Sequence, residues 1–133
     1  MKANELMVDD WVLWKDKPVQ IARVSGVVYS FGHIDVTLAH CGNGVLETHD
    51  IKSISPIPLT PEILEKNGFN NVIWQGEASW SYHENEVYVC ISGRSGGIKH
   101  FGYNGWDSKI AIFSVHELQH ALKLCGIEKT IEL

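Results

Sequence analysis

The chain has 133 residues, 44% of them hydrophobic and 20% charged, with a formal net charge of −5. That size and composition suit one domain or two small subdomains with a shared core, and they exclude bulk disorder. The eleven Lys and Arg are scattered, so no basic stripe points to a nucleic-acid backbone.

The first fourteen residues, MKANELMVDDWVLW, carry no apolar segment behind Lys2 that would read as a secretory signal. No apolar run approaches the ~18 residues of a membrane span. Cys41, Cys90 and Cys125 are odd in number and far apart, which fits reduced thiols in a cytoplasmic protein better than a disulfide framework.

Taken in chain order, residues 11–14 (WVLW) predict a short strand. KDKP follows as a turn, and VQIARVSGVV resumes with alternating character, completing a hairpin. Residues 30–39 predict the next strand. Asn43-Gly44 then signals a two-residue hairpin turn. IKSISPIPL (51–59) reads as a final short strand, limited by Pro56 and Pro58, which cannot donate to a ladder. Five short strands with tight turns predict an SH3-like small barrel over 1–58.

A short helix follows, with Thr60 as N-cap, Pro61 in its first turn, Glu62 at its positive end and Gly68 beyond its last turn. Further strands are predicted near 71–76, 78–83, 86–92, 97–103 and 109–113. In the third of these, Val87, Val89 and Ile91 alternate with Tyr88, Cys90 and Ser92, which predicts a central strand. SGRSGG (92–97) and YNGWD (103–107) read as a loop and a turn. The expected fold class is α+β, mainly β. The segment 59–133 contributes a short helix, an antiparallel sheet and a C-terminal helix, and packs with the barrel as one unit.

Three stretches together carry a resemblance: NELMVDDWVLW (4–14), ISPIPLTPEILEKNGF (54–69) and SVHELQHALKLCGIE (114–128). They resemble a family of small proteins found in Bacteroides-type gut bacteria and their phages and mobile elements. That family has no assigned activity, so the resemblance implies a fold and a setting, not a reaction. Its terminal helix usually reads V-H-x-L-Q, which Val115, His116, Leu118 and Gln119 match. Glu117 and His120 depart from the family's Gln or Asn.

Those two departures complete an H-E-x-x-H pattern, His116-Glu117-Leu118-Gln119-His120. On a helix, residues four apart share a face, so His116 and His120 can ligate one Zn²⁺ while Glu117 serves as base on a bound water. Several features weigh against that chemistry. Position 126, six residues after His120, is a glycine, and the later acids Glu128 and Glu132 lie in a short tail. Ser114 and Glu117 form an S-x-x-E capping box, which accounts for the Glu. At about 100° per residue, Val115, Leu118, Ala121, Leu122 and Cys125 make an apolar stripe, with His116, Gln119, His120 and Lys123 opposite. The expectation is a capped helix with two exposed histidines.

Other clusters are weaker. With Asn43-Gly44 at the turn centre, His40 faces Glu47, Cys41 faces Leu46 and His49 faces Leu38, so they do not converge on a metal. GRSGGIKH lacks the Gly before Lys99 that a phosphate loop requires. Trp11 and Trp14 lie on opposite sides of a strand, so one belongs to the core and the other can bind.

The leading functional expectation is a non-enzymatic protein-interaction module without a cofactor. It binds a protein partner or a second copy through a surface drawn from Trp11, Trp14, His116 and His120. The rival is a zinc-dependent hydrolase with His116 and His120 as ligands and Glu117 as catalytic base. A nucleic-acid-binding small barrel is the third reading.

Overall fold

The computed structural model describes residues 1–15, 20–40, 44–74, 76–84, 87–94, 97–104 and 106–133. The chain divides into two compact units, Met1–Ile57 and Pro58–Leu133. Both are built mainly from antiparallel strands, so the expected α+β, mainly-β class holds.

The first unit contains β1 (Trp11–Trp14), β2 (Gln20–Ser30), β3 (His33–His40), β4 (Leu46–Asp50) and β5 (Ile54–Pro56), in the sheet order β4-β3-β2-β1-β5. Successive side chains in a strand point to opposite faces, and one face here is apolar. Val12, Ala22, Val24, Val36 and Leu38 fill it, joined by Leu6, Ile51 and Ile54. β2 is long enough to need a bend. Its register with β3 shifts between Val24–Leu38 and Gly26–Thr37, leaving Ser25 as an extra residue. A bulge of this kind bends the strand and strengthens its twist. The N-terminal segment closes on the same place: Asp9 donates its N–H to Val24 O at 2.8 Å, and Val24 donates back to Asp10 O at 2.9 Å.

The sheet is strongly curled. Trp14 of β1 and His49 of β4 have ring centroids 4.0 Å apart, although two strands separate theirs in the sheet. In a flat sheet, strands three places apart would stand roughly 14 Å from each other. Among the described residues no ladder joins β4 to β5, so a closed barrel is not shown. The single strand expected over 51–59 is a 3₁₀ turn, Ile51–Ser53, followed by three-residue β5. Asp50 dictates the change, because its Oδ1 accepts the Lys52 N–H at 2.8 Å and so caps the turn. Pro56 sits on β5, an edge strand, where its missing N–H costs no interior ladder bond.

The second unit contains α1 (Pro61–Lys66), β6 (Asn70–Trp74), β7 (Glu77–Glu84), β8 (Val87–Arg94), β9 (Gly97–Tyr103), β10 (Trp106–Ile110) and α2 (Val115–Leu124). Its sheet is a simple meander, β10-β9-β8-β7-β6, with β8 in the centre as its alternation implies. β10 lies three residues earlier than expected, after Asn104 turns the chain with φ 47°. β8 runs on to Arg94, into what reads as loop in the sequence.

The two helices end alike. In α1, Phe69 N–H reaches Leu64 O at 3.0 Å and Gly68 N–H reaches Glu65 O at 3.1 Å. In α2, Ile127 N–H reaches Leu122 O at 2.9 Å and Gly126 N–H reaches Lys123 O at 3.0 Å. Both are Schellman closures, with glycine at positive φ (82° at Gly68, 76° at Gly126) and a buried pair, Phe69/Leu64 or Ile127/Leu122, beside it.

Candidate functional site

Helix α2 positions the H-E-x-x-H residues. Its N-terminus lies against the segment leading into α1: Pro58 bridges Ser114, and Leu59 N–H donates to Phe113 O at 2.9 Å. Ser114 is the N-cap, in extended backbone, and Glu117 completes the capping box. Glu117 Oε2 accepts the N–H of Ser114 at 2.9 Å and that of Phe113 at 2.7 Å. One carboxylate therefore satisfies two amides next to the positive end of the helix.

The two histidines do not share one environment. His120 is half-buried, but His116 is only 4% exposed. The expectation that both histidines face away from the core into solvent is corrected for His116. Its Nδ1 lies 2.9 Å from Ser114 Oγ. In the first turn of a helix the incoming chain covers side chains that the stripe geometry alone would leave outside. The rings of His116 and His120 meet edge to face, with centroids 5.7 Å apart. The helix thus brings both imidazoles and Glu117 onto adjacent turns, yet the carboxylate is directed back along the chain to the amides. Among the described residues, no group of three or more His, Cys, Asp or Glu is placed to hold a metal ion. Nearby on α2, burial pushes the Cys125 thiol up. In β7, burial and then the neighbouring Glu84 push the Tyr82 hydroxyl up.

In the first unit, Trp14 packs on the core and stacks against His49, whose Nε2 lies 3.3 Å from Glu47 Oε2. Trp11 points the other way and lies under the Arg23 guanidinium, 4.4 Å from the ring centroid. Of the two tryptophans, Trp11 is the outward one. The β3–β4 hairpin corrects another expectation. Leu38 pairs with Glu47 and Val36 with His49, so the register is two residues from the one that Asn43-Gly44 implies. Position 43 and Cys41 lie outside the described residues. Because the shift is even, every side chain keeps its face, and His49 still points inward.

The residue that sequence reasoning missed is Phe31. Ser30 pairs with His33, so Phe31 and Gly32 form the whole connection between β2 and β3. Both have positive φ, 46° and 79°, as a type I′ turn requires. Phe31 is 102% exposed, and Tyr29 (68%) and Val28 (52%) precede it on the same hairpin. The signal in the sequence was Gly32 between two alternating runs. It was masked because Phe is a poor first residue for this turn, where Asn or Asp is usual.

Comparison with known protein families, with curated proteins and with solved structures finds no match to this chain.

Proposed function

We propose that the chain is a non-enzymatic protein-interaction module whose first unit is an SH3-like small barrel. The strand order, the bulge that bends β2, the 3₁₀ turn between β4 and β5 and the curl that joins Trp14 to His49 support the barrel reading. The setting, in phages or mobile elements of gut bacteria, follows from the resemblance of the three sequence stretches. The interaction reading is carried by the end of the β2–β3 hairpin, where Val28, Tyr29 and Phe31 are all more than half exposed. Val28 and Tyr29 stand on opposite faces of β2 and Phe31 at its tip, so apolar surface surrounds the hairpin end, and exposed apolar surface of this kind marks contact sites. Glu117 and His116, which the hydrolase reading needs for chemistry, serve the helix N-terminus instead.

Quantitative affinity purification from the encoding organism, with light scattering of the purified chain, tests this. One protein retained in stoichiometric amount, or a concentration-dependent dimer, is the expected result. A monomer that retains no protein and carries stoichiometric zinc lost in His120→Ala would replace this reading with the hydrolase.

A further inference from the structure

We infer that the β2–β3 hairpin tip docks, with Phe31 as an inserted knob, into an apolar pocket rimmed by Lys or Arg on a protein partner. The inference rests on the interaction reading above and adds the contact element and the chemistry of the partner.

Two penalties coincide at Phe31. A left-handed backbone brings Cβ too close to the following carbonyl oxygen, so residues other than Gly, Asn and Asp avoid it. Phe31 adopts it, at φ 46°, and leaves its whole ring in water. Burial of the ring would be the usual compensation for such a residue, and among the described residues of the first unit none covers it. Strain of this kind persists at functional positions, where a partner supplies the missing contact. A Phe ring brings on the order of 150–250 Å² of apolar surface to a pocket. That is a fraction of a standard interface side of about 800 Å², so the ring acts as an anchor within a wider contact.

The charge around the tip selects the partner. Between Arg23 and Lys52 the chain has no Lys or Arg; of its acids there, Glu47 lies on the core face beside His49, which leaves Asp35 and Asp50. Val28 pairs with Asp35 and Asp35 with Asp50, so Val28, Asp35 and Asp50 stand in one row on the face opposite Val36 and the core. Like charges directly across a strand pair repel. The row stands roughly 10 Å along the hairpin from Phe31, at the rim of any pocket that takes the ring. Cations on that rim would relieve the repulsion. The same carboxylates disfavour an anionic bilayer, a nucleic acid and a second copy of this hairpin.

The test places photo-reactive p-benzoylphenylalanine at position 31 of the full chain in the encoding organism. Separate chains carry it at the exposed apolar positions 73, 113 and 124. Position 31 is expected to give a discrete protein adduct whose labelled peptide combines apolar residues with Lys or Arg. With the partner purified, Phe31→Asn and Asp35→Lys are each expected to weaken binding at least tenfold. Phe31→Asn should melt above the parent, because Asn tolerates the turn, so its loss of binding is not a loss of folding. An adduct to lipid, to nucleic acid or to a second copy would overturn the inference. So would a labelled peptide without basic residues, or unchanged affinity in Phe31→Asn. Adducts at 73, 113 or 124 with none at 31 leave the interaction reading standing and remove the tip from it. No adduct at any of the four positions removes both.

Discussion

The side chain of Asn67 grips the main chain of Glu132 from both sides: Oδ1 accepts the Glu132 N–H at 2.8 Å, and Nδ2 donates to the Glu132 carbonyl at 2.7 Å. Nδ2 also donates to Ile63 O at 2.8 Å, in the last turn of α1. One buried amide therefore closes a helix and holds a tail that lies 65 residues further along the chain. The fully buried Ile131 lies directly before that clamp.

Asn67→Ala should destabilise the second unit by about 1–3 kcal/mol, the usual consequence of leaving buried polar partners unmet. Asn67→Asp should cost more at neutral pH, since it turns an oxygen toward the carbonyls of Ile63 and Glu132. Urea denaturation compares the two, and amide exchange should show residues 127–133 losing protection first. An Asp variant as stable as the parent would mean that the bonds from Nδ2 to the Ile63 and Glu132 carbonyls contribute nothing to stability.

The structural account of the H-E-x-x-H helix predicts an asymmetry. His116→Ala removes a buried ring and the partner of Ser114 Oγ, and should cost roughly 2–4 kcal/mol. His120→Ala, at a half-buried position, should cost less than about 1 kcal/mol. Glu117→Gln keeps an acceptor for the Phe113 and Ser114 amides but loses the charge at the helix end, so a cost of about 0.5–1 kcal/mol is expected. Thermal melts of the three variants check this order. A ligand pair would instead show equal losses at His116 and His120, and only when metal is present.

Tyr82 provides a pH-dependent test. Its ring contacts Phe69 at 5.2 Å between centroids, with Lys129 Nζ 4.9 Å above its own centroid, and its hydroxyl lies 3.4 Å from Glu84 Oε1. Burial first, and Glu84 second, raise its pKa. The folded chain thus holds this proton more tightly than the unfolded chain, where tyrosine titrates near pH ~10. The stabilisation is fully present below that value and is lost as the pH rises through the folded one. Ultraviolet difference titration, with Tyr82→Phe to assign the step, should place Tyr82 above ordinary tyrosine. Glu84→Gln should lower it only part of the way, because burial is the larger cause.

Phe31→Asn should raise the stability of the first unit by about 1 kcal/mol, as the left-handed backbone is less costly for Asn. Phe31→Val should lower it, because a β-branched residue tolerates that backbone least. Chemical denaturation of both variants reports the sign directly. A neutral Phe31→Asn would show that the turn stores no strain.

Local signals in the sequence were sufficient at the helix ends, though not at the Phe31–Gly32 turn or the 3₁₀ turn that Asp50 caps. Thr60, Pro61 and Gly68 bound α1, and Ser114 with Glu117 opens α2, because capping involves groups within about four residues. The buried Val89 and Ile91 follow from a period of two in a central strand. Asn43-Gly44 misled the register of the next hairpin: β3 and β4 pair two residues away from the register it implies, and a period of two does not distinguish the registers, since an even shift leaves every side chain on its face.

What the sequence determined by itself is therefore the mainly-β class, the ends of the two helices and the alternation of the central strand, all consequences of backbone geometry over a few residues. The tertiary structure decided which of Trp11 and Trp14 turns inward, that His116 is covered, that Phe31 stands in water and that Asn67 meets Glu132. Burial depends on what distant segments bring alongside a residue, and no short window of sequence contains that information.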